Sequence, residues 1–591
     1  MFVKKLSSKF TIKIVFPYFI LTATAFVLCI RCLYSFCWSD ESFYLALVHR
    51  FWLGDRPIVD EWSGTQFYAV FLLPIYTLYM KIMGNNDGVY AFFRIFIVLI
   101  NYFLSIYIYN SLKRETHKLP SLLGALIYLL YTRANILGAS YYSIALIFVT
   151  WAVFLFFNSN VEELNRVRMF TIGCSLAIAV LALPYLVFVY AIFGMFCFCN
   201  ASFSKYRKNI VFILAGTCVC AVIYLGYLLP RVTLKEMLEY MPYVFEDAEH
   251  QNINPIMSNI LWFARIINRY KYTIVILIGS LLYILIKRIR HTSINQKILQ
   301  VIFIVNIILT GSNVILSYNV IGCVNIALSI LAIIIYLSLD CKDKTLKKVF
   351  NNIYLPGIIL SIVFHLASNT GLDAITVGFV LCGISSPIII YKSASKIKWS
   401  SVKVKRWISR SILVIFIVSI IQTGWLRLFS VYRDDKIVNL TERITQGPAK
   451  YLYTTKEHKK QYDEIIKTIE NTFVENISGT VVITELVPWA YLCINNPCGA
   501  PSPCRFWGGL DEERLKKYYA NMPNRFPTYV LAVTPEYGSC RSVIIQGNEI
   551  IIKPNERGTS QWLIEKLERI GYDKLNTVCG IVYKNGDYYG D

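Results

Sequence analysis

The sequence predicts a polytopic α-helical membrane protein of about 13 transmembrane helices with a C-terminal extracytoplasmic α/β domain. Three observations predict it. Of 591 residues, 56% are hydrophobic and only 16% charged, where a soluble domain carries about a quarter charged. Apolar runs such as 12–37 and 313–339 exceed the roughly 20 residues needed to span a bilayer. The basic residues fall between apolar runs, at Lys113-Arg114, Arg166, Arg168, 205–208, 287–290, 342–348 and 396–406, which is the positive-inside signature of cytoplasmic loops.

Each element follows in chain order. Lys4, Lys5, Lys9 and Lys13 precede a first apolar run that is too long for a signal peptide and has no small-residue cleavage site after it. It is expected to be retained, with its start in the cytoplasm. A first outer loop, 38–89, contains the apolar segment 67–83. If that segment crossed the membrane, every later basic loop would be inverted, so it is expected to lie along the outer surface or re-enter. Further spans follow at about 90–112, 119–133, 141–157, 169–183, 184–200, 209–229, 271–287, 297–310, 314–338, 352–366, 373–391 and 410–429, each near bilayer length. Pro184 marks the break between two of them, and a long outer loop occupies 230–270. Residues 1–430 thus form the membrane domain and 431–591 an outer domain, in the cytoplasmic (plasma) membrane of a bacterial-type cell envelope. In the outer domain, residues 457–473 have helical spacing, as do 511–521 and 560–570. Strand-like runs occupy 480–484, 528–534, 543–545, 550–552 and 577–583, with a hairpin around Gly547-Asn548.

A formal net charge of +22 in a soluble chain would point to nucleic acid. Here it is the cytoplasmic bias of the loops, and no nucleic-acid module is visible. Of 16 cysteines, most lie in apolar runs as small hydrophobes. Cys493, Cys498, Cys504, Cys540 and Cys579 lie in the outer domain, where one or two disulfides are allowed. Their C-x4-C-x5-C spacing without a histidine is a weak zinc signal.

The strongest chemical signal follows the first span: Ser39-Asp40-Glu41, Tyr44, Gly54-Asp55-Arg56-Pro57, then Asp60-Glu61-Trp62. Adjacent carboxylates at the mouth of a helix bundle suit general-base work, although a solvated loop has the same composition. An outward first span, Asp-Glu, an aromatic, GDRPIVDEW and an interfacial apolar helix ending at Gly84 together resemble the GT-C superfamily. These are integral-membrane glycosyltransferases, including the protein O-mannosyltransferases and the lipid A aminoarabinose transferase. The resemblance covers roughly residues 10–160 by motif and the rest by architecture.

That resemblance implies inverting transfer of a sugar from a polyprenyl-phosphate donor to an acceptor on glycan, lipid or protein. Asp40 matches the family's first-loop acid and is expected to be the general base, with Glu41 positioning it or sharing the role. The leaving phosphate needs cations, for which Arg50, Arg56, Arg133, Arg231, Lys235, Arg265, Arg269 and Lys271 are candidates. One departure from the family is the absence of acid in the outer loop spanning 131–143, for which Asp55, Asp60 or Glu61 could substitute. The cofactor is left open. Asp247, Glu249 and His250 offer a divalent-cation set, and His250 a contact to donor or acceptor. Trp489, Tyr491 and Trp507 would suit stacking on a sugar, or a core. The rival reading, a transporter or flippase of a lipid-linked or polar substrate, would favour internal symmetry and polar groups deep in broken spans.

Overall fold

The computed structural model describes all residues except 1, 160–164, 200–206, 247–260, 262–263, 265–270, 291, 293–294, 317–320, 339–342, 367–371, 474–478, 505–509, 539–541, 547–548, 554–558 and 587–591. Helices in chain order are α1 Phe2–Arg31, α2 Asp40–Trp52, α3 Phe67–Met83, α4 Val89–Glu115, α5 Lys118–Leu130, α6 Tyr141–Phe157, α7 Arg166–Ala182, α8 Val187–Cys199, α9 Arg207–Leu228 and α10 Leu234–Phe245. They continue as α11 Lys271–Ile289, α12 Gln296–Leu316, α13 Cys323–Ser338, α14 Lys344–Leu366, α15 Leu372–Lys396 and α16 Val402–Phe429. Among the described residues, six helices are long and apolar enough to cross a membrane, and further apolar helices are shorter. Their outer faces carry exposed large hydrophobics such as Phe103, Val222 and Val275, the reverse of a soluble surface. The chain is a mostly helical, multi-pass membrane protein.

The centre of the bundle is α15, held by close backbone approach. A side chain at Gly357 of α14 would meet Cys382 and Leu381, and one at Gly378 of α15 would run into Ser361. Small residues at helix crossings are how helices pack where lipid removes the hydrophobic drive. Within α14, Phe350–Tyr354 forms a π-turn.

After α16 the polar part contains the ladder β1 Glu442–Arg443 with β2 Tyr453–Thr454, and α17 Lys456–Thr472. It continues through β3 Val481–Ile483, α18 Leu510–Asn521, β4 Tyr529–Val533, β5 Ser542–Gln546, β6 Glu549–Lys553, α19 Gln561–Ile570, β7 Asp573–Thr577 and β8 Gly580–Lys584. The four-stranded sheet runs β3-β4-β8-β7, with β3 parallel to β4 and the other pairs antiparallel. The run 577–583, expected as one strand, instead bends at Val578-Cys579, and its two arms pair as β7 and β8. Gly580 has φ 154° there and lies flat against the Ala532 carbonyl. The Gly547-Asn548 turn lies outside the described residues, while β5 and β6 pair antiparallel with Gln546 opposite Glu549. Cys493, Cys498, Cys504 and Cys579 are all free thiols, so no disulfide joins them. Cys540 lies outside the described residues.

The ends of α3 settle its path relative to the C-terminal part. Just before it, Trp62 N donates to Pro501 O at 2.8 Å. Just after it, Asn86 Nδ2 donates to Leu492 O at 2.7 Å and Gly88 N to Gly447 O at 3.0 Å. Both ends meet the same body, so α3 starts and ends on one side of the bundle. Leu78, Ile82 and Met83 remain exposed along it. At the opposite end of the bundle, Lys348 pairs with Glu115 at 2.5 Å and Lys396 with Asp343 at 2.7 Å.

His49 of α2 is fully buried in this seam. Its Nε2 lies 2.9 Å from Ile494 O and its Nδ1 2.7 Å from the Tyr76 hydroxyl. Burial pulls its pKa down to about 4, against the Ile494 carbonyl, which raises it. The unfolded chain therefore takes up a proton at pH values where the folded one does not. Stability is expected to be intact above about pH 6.5 and to fall by about 3 kcal/mol as pH drops toward 4. Thermal unfolding in detergent across that range checks it; His49→Gln should flatten the dependence.

Candidate functional site

Asp40 is the first residue of α2 and its side chain is about one-third exposed, at 34%. Three donors converge on its Oδ2: the Tyr432 hydroxyl at 2.9 Å, Arg433 at 2.8 Å and Ser39 Oγ at 3.2 Å. Among the described residues none donates to Oδ1. The carboxylate is thus oriented through one oxygen and offers lone pairs on the other. One helical turn on, Tyr44 packs edge-on against Tyr68 at 6.0 Å and Tyr141 at 5.4 Å. Its phenol sits among Tyr141, Asp40, Arg133 and Tyr432, and burial pushes its pKa well up, so it stays neutral.

Arg133 occupies the turn between α5 and α6, stacked over Tyr142 at 3.8 Å. The next two residues, Ala134 (φ 48°) and Asn135 (φ 58°), are left-handed, a costly conformation that clusters at functional sites. Asn135 pins the turn to the end of α16, accepting from Arg427 at 2.5 Å and donating to the Ser430 carbonyl. Burial opposes the Arg133 charge, yet Tyr142, Tyr141, Tyr44 and the Asp373 carboxylate together raise its pKa above the ordinary value. Arg133 and Arg427 both line a narrow cleft walled by Tyr128, Thr132, Ser140 and Tyr142 and floored by Leu28 and Val98. Its interior void is about 30 Å³, the room of an ordered water.

The other expected site residues have structural partners. Glu41 is 2% exposed, and both its oxygens accept from Arg94, at 2.6 and 2.5 Å. Arg94 also donates to Cys32 O and Ser35 O, at 2.8 and 2.9 Å. With both oxygens tied to a buried cation, Glu41 belongs to the scaffold beneath Asp40 and has no open face for substrate. Arg50, expected on substrate, is 3% exposed and clamps Asp55 and Glu61. Asp60 is fully buried between Arg56 at 3.1 Å and Arg525 at 2.8 Å, and Arg56 also reaches Glu236 at 3.0 Å. Arg525 pairs with Asp55 too, at 2.7 Å. Arg50, Arg56, Asp60 and Glu61 therefore form an ion-pair hub that fastens the first outer loop to α10 and to the turn after α18.

Arg231 is exposed and folds onto its own helix, over Tyr227 at 4.2 Å, and Lys235 is exposed. Lys271 begins α11. Asp247, Glu249, His250, Arg265, Arg269 and Trp507 lie outside the described residues. Among the described residues no three His, Cys, Asp or Glu side chains come together as a metal set. Trp489 and Tyr491 are buried; Trp489 packs on Tyr462 at 4.4 Å, so both are core and not a sugar platform.

Sequence reasoning missed Tyr432, Arg433, Arg427, Asp373 and the buried Arg94. Tyr432-Arg433 directly follows α16, and its only sequence signal was a cation beside the last span.

Helices and this site together define a multi-pass membrane protein whose one-third-exposed acid and cleft-lining cations lie at one end of the bundle. The solved structure of the Archaeoglobus fulgidus oligosaccharyltransferase, in complex with zinc and sulfate, is similar to this chain. The likeness covers 87% of this chain and 68% of that one, at 11% identity and a TM-score of 0.39. No protein-family model and no curated protein sequence matches the chain.

Proposed function

We propose that this chain is a GT-C glycosyltransferase that moves a sugar from a polyprenyl-phosphate donor to an acceptor at the outer face of the plasma membrane. In this reading about 13 helices cross the bilayer, the basic end is cytoplasmic, and the C-terminal part is outside. Asp40 Oδ1 takes the proton from the acceptor hydroxyl as that oxygen attacks the anomeric carbon. The bond from that carbon to the lipid phosphate breaks on the opposite side, which inverts the centre. Charge developing on the phosphate is met by Arg133 and Arg427 at the cleft. The observation that carries the reading is the Asp40 carboxylate, oriented through Oδ2 and open at Oδ1, with Arg133 across the Tyr44 phenol. The resemblance of the first-loop motif supports it independently.

The purified protein in liposomes, given radiolabelled polyprenyl-phosphate hexose or pentose and an envelope extract, is expected to move label from the donor lipid to acceptor. Arg133→Met should lower that transfer by at least about tenfold, the loss of one charge-assisted contact in the transition state. Movement of the carrier lipid across the bilayer without transfer would overturn the proposal in favour of a flippase.

A further inference from the structure

Toward the far end of the bundle from Asp40, helices α6, α7, α8 and α14 leave a slot of about 140 Å³ between them. Its walls include Ala152, Phe156, Leu176, Ile192, Leu355 and Ile359. Such a void is comparable to the roughly 150 Å³ of a dry cavity that takes up small apolar molecules. In a membrane-spanning bundle the apolar molecule at hand is a lipid chain.

The slot ends at the π-turn of α14, where Asn351 and Asn352 line it. Both are half-buried, so each amide has a face open to a ligand in the slot. π-turns are frequent at functional sites because the extra residue re-aims side chains. Lys347 precedes Asn351 by four residues and is exposed, which places it on the same helical face. Lys344 lies one turn further out, and Arg166, at the start of α7, stacks on Phe212 at 5.6 Å beside the slot residue Ile213. Apolar slot, paired amides and cationic rim follow one another along α14, in the order of an acyl chain, its ester or glycerol oxygens and its phosphate.

We propose that this slot grips the glycerol-proximal segment of one acyl chain of an anionic phospholipid from the leaflet at the basic end, with Asn351 and Asn352 on its polar neck and Lys344, Lys347 and Arg166 about its phosphate. Cationic side chains beside the membrane favour anionic headgroups, and the slot supplies the selectivity that a bare basic patch lacks. The inference stands apart from the glycosyl-transfer reading, because Asp40 and Arg133 lie at the other end of the molecule.

The full chain, purified in detergent with equal amounts of phosphatidylglycerol and phosphatidylcholine, would be examined by native mass spectrometry. One phosphatidylglycerol is expected to stay bound. Ile359→Trp, which fills the slot, should lower its retention by about tenfold. A second variant, Lys344→Glu with Lys347→Glu, changes only exposed charges; it should abolish the preference for phosphatidylglycerol while the protein unfolds at an unchanged temperature. Equal retention of both lipids by the natural chain, or undiminished retention by a folded Ile359→Trp protein, would overturn the proposal. So would displacement of the phospholipid by polyprenyl phosphate, which would reassign the slot to the carrier lipid.

Discussion

Asp40→Asn is expected to reduce sugar transfer by about 10² to 10⁴, the usual contribution of a general base. The amide keeps the size of the carboxylate and can still accept from Tyr432 and Ser39, so the local geometry should survive. It lacks only the basicity of Oδ1 and the ion pair with Arg433. That pair is between side chains 53% and 34% exposed, and a pair so exposed contributes no more than about 1 kcal/mol. Initial rates with labelled donor, alongside thermal unfolding of the same preparations, separate the two effects. An unchanged rate would remove Asp40 from the chemistry; a lowered rate with an unchanged unfolding temperature is the expected outcome.

Arg94→Ala is expected to cost the fold itself. Arg94 is 1% exposed and donates to both Glu41 oxygens and to two backbone carbonyls at the end of α1. Its removal leaves a buried carboxylate without its cation and two carbonyls without donors, a loss of about 3–5 kcal/mol. A membrane preparation of this variant should give little folded protein. Pairing Arg94→Met with Glu41→Gln removes both charges together and should recover much of the stability. Yield and unfolding temperature of the three variants read this directly. A stable Arg94→Ala protein would mean that the pair contributes little to the fold.

The contrast between Asp40 and Glu41 shows how much of the site could be read from residues alone. The sequence placed both acids just after the first span, and in the structure they are the first two residues of α2. What it could not show is which way each points. Successive helical residues lie about 100° apart, so Asp40 meets the loop after α16 while Glu41 turns inward to Arg94. That partner is 53 residues away; as the lone charge in its span before Lys113 it signals a buried pair, but not which acid it meets. Arg50 and Asp60 fail for the same reason: a charged residue beside a membrane reads alike whether it meets solvent, substrate or a partner fixed by tertiary packing. For α3 the sequence offered a different handle, loop charge, because a crossing there would invert every basic segment that follows. The hairpin at 577–583 was not, because its turn, Val578-Cys579, lacks the Gly, Asn or Asp that usually announces one. Arg433 escaped notice because its importance lies in a neighbour nearly four hundred positions upstream.

The ion-pair hub also bears on how the protein is made. Asp55 and Asp60 leave the ribosome early, whereas Arg525, which joins them, lies 470 residues later. At roughly 5–20 residues per second, the loop between α2 and α3 waits from about 24 to about 94 seconds for that partner. During the wait its carboxylates have only Arg50 and Arg56 nearby and must remain hydrated. The loop between α2 and α3 therefore reaches its finished shape only as synthesis ends, and a chain truncated before Arg525 would leave its earliest-made acids without their last cation.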